Sequence, residues 1–234
     1  AGELHRLKAL YLVSYHSNPT GITTAVAKKA GALKLLRRYE KTAGHPIYLL
    51  EDAAYRELRF AGEGTPSALT MDRAANRVIY TSTYSKPFAT GVRIGYGLLP
   101  EPLLTAALRV KGNHDFGTTN LLQQLITQAL TSGAYERHVQ MLRKRYAKKA
   151  SAMVRAIRLH FPEDLKWTQP AGGLYVWARM SARVKTGLKS KLFKAALCQK
   201  VIYVPGNLCY ADDPTRCKPN REMRLSFGSA SIKN

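Results

Sequence analysis

Three short apolar runs, each followed at once by polar residues, constrain the fold of this chain most strongly. They lie at residues 9–15, 46–50 and 78–81. Each run is nearly continuous in apolar character, which is typical of strands that are buried on both faces. The runs predict an open, mostly parallel sheet with crossover connections. Such sheets bind ligands at the carboxyl ends of their strands, so the polar residues after each run are the candidate site.

The first run is followed by the sequence His-Ser-Asn-Pro-Thr-Gly, which contains Asn18. Taken alone, Asn-Pro-Thr-Gly is an ordinary turn. We expect Thr23 or Thr24 to cap a helix that runs to about Lys41. The first run and this helix then form a strand-loop-helix unit with its polar residues at the strand end.

The second run ends in Glu51 and Asp52, with Tyr55 three residues beyond Asp52. An acidic residue just past a buried strand can cap a following helix, and this remains one explanation. Neighbouring residues on a strand point to opposite faces. Only one of the two carboxylates can therefore face a site, and we expect that one to be Asp52.

The third run leads into a lysine segment. Most lysines are exposed and have no special role, and this chain has many of them. Near Lys86, however, lie the hydroxyls of Thr83 and Ser85, the guanidinium of Arg93 and two glycines, a setting suited to a phosphate group. A lysine beside a phosphorylated aldehyde suggests a Schiff base. Desolvation by Pro87 and Phe88 and the charge of Arg93 could lower the pKa of that amine.

Four segments, in this order, resemble the motifs of the class I/II aminotransferases, which are fold-type I pyridoxal-phosphate enzymes. The segments are N-P-T-G from Asn18, D-x-x-Y from Asp52, S-x-S-K-x-x-x-x-G-x-R-x-G from Thr83, and R-x-S-F from Arg224. Thr83 stands where the family usually has serine. Each motif is weak alone, but together at these intervals they are specific. The implied fold class is α/β, the fold-type I transferase fold, with a mostly parallel large domain and a small α+β domain.

The resemblance implies pyridoxal 5'-phosphate as the cofactor and gives the matched residues their roles. Lys86 would bind the aldehyde and move protons, Asp52 would hold the pyridine nitrogen protonated, and Tyr55 would bond to the phenolic oxygen. Lys86, Asp52 and Tyr55 are thus the candidate catalytic residues. Asn18 would lie near the phenolic oxygen and the substrate carboxylate, across a cis Asn18–Pro19 bond.

The phosphate and the substrate have their own candidates. The resemblance implies that Thr83, Ser85 and Arg93 hold the cofactor phosphate. Arg224 lies in an apolar segment, which we interpret as an edge strand, and needs an anionic partner. An internal salt bridge would satisfy it; the resemblance instead implies a bidentate grip on the substrate α-carboxylate. The G-G-x-[FY]-x-W segment at 172–177 fits a core strand as well as a functional one.

The rest of the chain predicts helices at 103–110 and 121–131 with a loop between them, and one long helix from 134 to about 160. Mixed short strands and a helix follow. We therefore divide the chain into residues 1–133, part of the cofactor-binding large domain, and 134–234, a bridging helix with the small domain. The large domain lacks the family's N-terminal glycine turn and ring-stacking aromatic residue. We expect the chain to correspond to the C-terminal part of a longer enzyme.

Charge and cysteines limit the partners. Lysine and arginine number 37 against 15 acidic residues, a net charge of +22, which favours acidic partners such as nucleic acid. The densest basic run, at 143–149, is explained better as a solvated helix face. The three cysteines indicate neither a disulfide framework nor a metal site, and a reducing, cytoplasmic location follows. No apolar run reaches membrane-spanning length.

The resemblance implies ping-pong transfer of an amino group between an L-amino acid and a 2-oxo acid, in a homodimer. The segment Lys-Gly-Asn-His-Asp-Phe-Gly at 111–117 resembles that of the 2-aminoadipate, aromatic and branched-chain aminotransferases. In that group this region lies near the dimer interface. Three alternatives stay open. They are another pyridoxal-phosphate reaction on the same fold, such as a β-lyase or decarboxylase; the effector domain of a winged-helix transcriptional regulator; and a non-catalytic fragment.

Overall fold

The computed structural model describes residues 3–229 and 231 and contains two four-stranded sheets. The strands of the first sheet are β1 (Ala9–Val13), β2 (Tyr48–Asp52), β3 (Val78–Thr83) and β4 (Gly95–Leu98). They lie side by side in chain order; β1, β2 and β3 are parallel, and β4 is antiparallel to β3. The three apolar runs thus form the parallel strands predicted from the sequence, and no strand boundary differs from its run by more than two residues.

One face of this sheet is covered by α1 (Val26–Ala43). Leu33 and Leu36 of α1 pack on Leu49 and Val78 of the strands, and all four are buried. The expected threonine cap of α1 is wrong: Ala25 precedes the helix and no side chain caps it. The Thr23 hydroxyl instead accepts a hydrogen bond from the backbone N–H of His16 at 3.1 Å, within the loop after β1.

Three helices connect the two sheets. They are α2 (Glu101–Asp115), α3 (Asn120–Thr131) and α4 (Ala134–His160). The last two match their predicted spans closely, and Gly133 adopts φ +67° between them. The predicted loop at 111–120 is wrong in its first half, because α2 continues to Asp115. The Lys111 ammonium bonds to the Asp115 carboxylate one turn later, at 2.5 Å, across the glycine and asparagine that suggested a loop.

The second sheet follows α4 and has the order β5-β6-β8-β7. Its elements are β5 (Lys166–Trp167), β6 (Tyr175–Arg179), α5 (Lys191–Cys198), β7 (Val204–Pro205) and β8 (Glu222–Ser226). All of its strand pairs are antiparallel. Arg224 does not lie on an edge strand, as the sequence suggested, because β8 is bonded to β6 on one side and to β7 on the other.

The architecture is that of an α/β protein with a mostly parallel sheet, followed by a smaller antiparallel sheet with its own core. That second core includes Val176, Ala178, Met223 and Phe227, all buried, with Ile157 of α4 packed against them. The division at residue 133 remains a prediction. None of the helices in the described part of the chain is long and apolar enough to cross a membrane.

Candidate active site

The carboxyl ends of the parallel strands bring Asp52 to the edge of the first sheet. Asp52 is the last residue of β2, and it is opposite Val13 on one side and Thr81 on the other. Its Oδ1 accepts the backbone N–H of Ala54 at 2.9 Å, and its Oδ2 accepts the Tyr11 hydroxyl at 2.6 Å. Asp52 forms no ion pair within the described chain, so its negative charge is available to a ligand.

Glu51 points to the opposite face of the sheet, as strand alternation predicted. Its side chain is fully buried and pairs with Lys29 of α1 at 2.8 Å. Burial alone would raise the pKa of Glu51, but the bonds from Lys29 and Ser67 hold it below its usual value. This carboxylate therefore belongs to the core and has no access to the site.

Lys86 lies in the turn after β3, and its ammonium is 5.9 Å from the centre of the Tyr55 ring. The side chain of Lys86 is exposed to solvent. The desolvation expected from Phe88 is therefore not present, because the Phe88 ring packs against Tyr135 and His138 of α4 instead. The structure does bring the lysine next to the tyrosine of the D-x-x-Y segment.

The three predicted phosphate ligands have different contacts. The Thr83 hydroxyl donates to the carbonyl of Ile94 at 3.1 Å and accepts the N–H of Ser85 at 3.0 Å, so it holds the turn together. Arg93 donates to the Ser85 hydroxyl at 3.4 Å and is itself exposed. Ser85 and Arg93 thus form a pair that can receive an anion, while Thr83 shapes the loop around them.

Asn18 and Arg224 connect the two sheets, although 206 positions separate them in the chain. The Arg224 guanidinium donates to Oδ1 of Asn18 at 2.6 Å and lies 4.4 Å from the ring centre of Tyr175. The Asn18–Pro19 bond is cis, as the resemblance implied. The Nε of Arg224 is buried and has no hydrogen-bond partner among the described residues. The salt bridge considered for Arg224 is not formed there.

Tyr55 links the lysine to the arginine. Its ring meets Tyr175 edge-on, with 6.0 Å between ring centres, and the Arg224 guanidinium lies over the Tyr175 ring. Burial, followed by the neighbouring Tyr175 hydroxyl, raises the pKa of Tyr55, so its hydroxyl remains a proton donor. Tyr55 and Tyr175 thus lie between Lys86 and Arg224 in a row of neighbouring side chains.

Two site residues were not predicted from the sequence. Tyr175 occupies the aromatic position of the G-G-x-[FY]-x-W segment, which the sequence left open between core and function. Tyr11 was treated only as part of a strand. Counting by two along β1 from Val13, the partner of Asp52, would have placed Tyr11 on the same face as that carboxylate.

The site is open to solvent at the edge of the sheet, where Asn18, Lys86 and Arg93 are exposed. A separate cavity of about 450 Å³ is lined by residues that include Tyr15, His16, Arg56 and Arg143. Tyr15 packs with Tyr80, and Tyr80 is opposite Glu51, which points towards α1. This cavity is therefore on the α1 side of the sheet. None of the predicted site residues lines it.

These elements define the fold of the fold-type I pyridoxal-phosphate enzymes. The family model for aminotransferase class I and II matches residues 4–231, and the chain belongs to that family. It is 31% identical to a 2-aminoadipate transaminase of Thermus thermophilus over 96% of this chain and 53% of the relative. It is 26% identical to YisV, an HTH-type transcriptional regulator of Bacillus subtilis, over 95% of this chain and 43% of the relative.

The fold also matches that of a solved structure. The multiple substrate aminotransferase of Thermococcus profundus superposes with a TM-score of 0.86 at 29% identity, over 97% of this chain and 53% of that one. The chain therefore spans about half the length of the relatives it matches.

The residues present fit the family's cofactor, pyridoxal 5'-phosphate. The carboxylate of Asp52, which forms no ion pair in the described chain, suits a protonated ring nitrogen. The buried hydroxyl of Ser85 and the exposed guanidinium of Arg93 suit a phosphate. Lys86 follows Ser85 in the same turn, and its ammonium is near the Tyr55 ring. The Tyr55 hydroxyl, kept protonated, suits a phenolate oxygen.

Proposed function

We propose that this chain carries the cofactor-binding and substrate-binding residues of an aminotransferase that moves an amino group from an L-amino acid to a 2-oxo acid. The observation that carries the proposal is the hydrogen bond between Arg224 and Asn18. It joins the predicted carboxylate-binding arginine to the loop after β1 that contains Asn18. An arginine and an asparagine brought together across two sheets form a site for a small anion.

Arg224 binds the substrate α-carboxylate through its guanidinium fork. Its NH1 is already oriented by Asn18, and its buried, unpartnered Nε is a donor that needs an acceptor. A buried donor without a partner is costly, so an entering carboxylate regains that free energy. Tyr175 keeps the guanidinium in place from the other side. These contacts fix the orientation of the substrate before any bond is broken.

Lys86 is the group that moves protons. Its amine would take the proton from the substrate Cα, and bound pyridoxal phosphate would supply the ring that accepts the electrons. Asp52 would hold the proton on the ring nitrogen, and Tyr55 would donate to the phenolic oxygen. Ser85 and Arg93 would hold the phosphate, with Thr83 shaping their loop. One half-reaction uses the L-amino acid and the next uses the 2-oxo acid, and this order makes the mechanism ping-pong.

The substrate class follows the family resemblance at 111–117 and the names of the relatives. We propose a 2-aminoadipate or aromatic type of amino donor, as the Thermus thermophilus relative is a 2-aminoadipate transaminase. A screen of amino donors against 2-oxo acids separates this activity from a lyase or decarboxylase. Only a transaminase forms one new amino acid for each donor consumed.

Covalent labelling of Lys86 tests the proposal. The purified chain is mixed with pyridoxal phosphate and reduced with sodium borohydride, and peptide mass spectrometry locates the label. We expect stoichiometric labelling of Lys86, its loss in Lys86→Ala, and no change in Lys194→Ala, which removes an exposed lysine of α5. Equal weak labelling of many lysines, with none preferred, would overturn the proposal.

We also propose that the chain forms a homodimer through α2 and α3. Large apolar side chains are exposed on these helices and on the turn between them: Leu108, Val110, Phe116, Leu121 and Leu125. Exposed apolar surface of this extent marks an interaction site more often than a free surface.

A second candidate function is the effector domain of a transcriptional regulator. It is favoured by the net charge of +22 and by α4, where the exposed Arg137, Lys144, Lys148 and Arg155 form no ion pair with any described residue. A gel shift on duplex DNA at several salt concentrations tests it. Binding that weakens steeply with salt, together with no Lys86 labelling, would favour the regulator over the enzyme.

A further inference from the structure

We propose that Tyr11 is a positioning residue for Asp52: its hydroxyl fixes the carboxylate in the orientation that meets the ring nitrogen of the cofactor. The inference rests on the proposed function, because it assigns a task to a residue outside the family motifs. The observation behind it is the hydrogen bond from the Tyr11 hydroxyl to Oδ2 of Asp52, at 2.6 Å.

The strand register makes this contact possible. In the parallel pair β1–β2, Val13 is opposite Asp52 and Tyr11 is opposite Leu50. Side chains two apart on a strand share a face, so Tyr11 lies one step behind Asp52 on the site face of the sheet. A tyrosine is long enough to reach forward along the strand to the neighbouring carboxylate, whereas Val13, the direct neighbour, has no polar atom.

The two hydrogen bonds on Asp52 leave room for a third. Oδ1 accepts the N–H of Ala54 at 2.9 Å, and Oδ2 accepts the Tyr11 hydroxyl. Each carboxylate oxygen can accept two hydrogen bonds, so each keeps one free acceptor position. With one donor on each oxygen, the carboxylate plane cannot rotate freely. The remaining positions then point in fixed directions, which is what a directional bond to a ring N–H requires.

Tyr11 is a donor rather than an acceptor in this pair. Burial and the Asp52 carboxylate raise the pKa of Tyr11 to about 12, so its hydroxyl stays protonated across the physiological range. The hydroxyl is bound although 58% of the residue is exposed. An exposed tyrosine has water available as a partner, so a short bond to a charged oxygen indicates a favourable local geometry.

Binding of two aldehydes by the full chain separates positioning from a merely structural role. One aldehyde is pyridoxal phosphate; the other is its analogue with a C–H group in place of the ring nitrogen. The variant is Tyr11→Phe, which removes only the hydroxyl. The control is Tyr39→Phe, on α1 at the opposite face of the sheet, where the tyrosine is 40% exposed. Dissociation constants are measured by equilibrium titration.

We expect Tyr11→Phe to weaken pyridoxal phosphate binding by about tenfold, the size of a lost hydrogen bond to a charged group. Binding of the carbon analogue should be unchanged, because that ring has no nitrogen for Asp52 to meet. In an Asp52→Asn background, Tyr11→Phe should have no further effect on either ligand, which is the coupling that a double-mutant cycle detects. Tyr39→Phe should match the wild type throughout.

Equal weakening for both ligands would overturn the inference, since it would mean that Tyr11 supports the fold only. No weakening for either ligand would overturn it as well. Both results leave the proposed function intact if Lys86 is still labelled in the wild type. A wild-type chain that binds neither aldehyde would instead overturn the proposed function, and the inference with it.

Discussion

His16 is held in an unusual position at the end of β1. Its side chain is 4% exposed, and its backbone adopts φ +45°, a left-handed conformation that favours glycine or asparagine. The ring packs so closely on Gly172 that a side chain there would collide with it. Gly172 precedes β6, so this contact joins the loop that contains Asn18 to the second sheet. The glycine pair of the 172–177 segment has a packing role here.

We predict that His16 makes the stability of the chain depend on pH between 4 and 6.5. Burial, together with the charge of Arg59, lowers the pKa of His16 from 6.5 to about 4. In this window the unfolded chain binds a proton that the folded chain does not. The contribution of neutral His16 to the free energy of unfolding is therefore complete above pH 6.5. As the pH falls towards 4, on the order of 3 kcal/mol of it is lost.

His16→Asn should remove this dependence, because asparagine tolerates a positive φ and does not titrate there. The free energy of unfolding is measured by urea denaturation at several pH values from 4 to 7. The wild type should lose stability over this range and the variant should stay nearly level. The same slope in both proteins would show that His16 is not the responsible group.

At the scale of elements, α1 is fixed to the first sheet by a buried ion pair. Lys29 and Glu51 are both fully buried, and their charged atoms are 2.8 Å apart. Lys29 also donates to the carbonyl of Pro66 at 2.9 Å and lies 4.1 Å from the ring centre of Tyr15. Glu51 accepts further bonds from Ser67 and from the N–H of Ala68. Helix, strand and the loop at 66–68 thus meet at one carboxylate.

We predict that Lys29→Met destabilises the chain by about 3–5 kcal/mol, because it leaves a buried carboxylate without its cation. Lys34→Met is the matched control on the exposed side of the same helix and should change stability by less than about 0.5 kcal/mol. The double variant Lys29→Met, Glu51→Leu should recover much of the loss. Urea denaturation measures all three. Equal effects at positions 29 and 34 would refute the prediction.

The elements show what the sequence could predict and what it could not. Apolar runs identified β1, β2 and β3, because burial on both faces leaves a continuous pattern. Strand alternation separated Asp52 from Glu51, because neighbouring residues on a strand point to opposite faces. The helical continuation to Asp115 was missed because glycine and asparagine at 112–113 suggested a break. The pairing of β8 between β6 and β7 was missed because β7 has two residues and leaves almost no pattern.

For the site as a whole, the motifs identified the residues and the fold supplied their contacts. Lys86, Asp52, Asn18 and Arg224 were all named from sequence. Their arrangement depends on two separate sheets, and no spacing along the chain reveals the bond between Asn18 and Arg224. Another contact at long separation, from Arg143 to Glu57 at 3.1 Å, holds α4 against the segment that follows β2. The roles of Tyr11 and Tyr175 became visible only through their contacts.

At the scale of the whole molecule, we predict that the chain dimerises through α2, α3 and the turn between them. Phe116 in the turn is 94% exposed and Leu121 of α3 is 76% exposed. Covering such side chains in an interface removes apolar area from water, worth roughly 25 cal/mol for each Å². The double variant Phe116→Asn, Leu121→Glu places polar and charged groups in that interface. It should therefore convert dimer to monomer in sedimentation velocity at a fixed protein concentration.

Leu159→Glu is the matched control, because Leu159 is 77% exposed at the end of α4, away from the proposed interface. It should remain dimeric, since its side chain is equally exposed but is not covered by the partner. A monomeric wild type, or equal dissociation by both variants, would contradict the prediction. The choice of asparagine at 116 keeps the comparison fair: that residue has φ +49°, which asparagine tolerates, so the variant tests the interface rather than backbone strain.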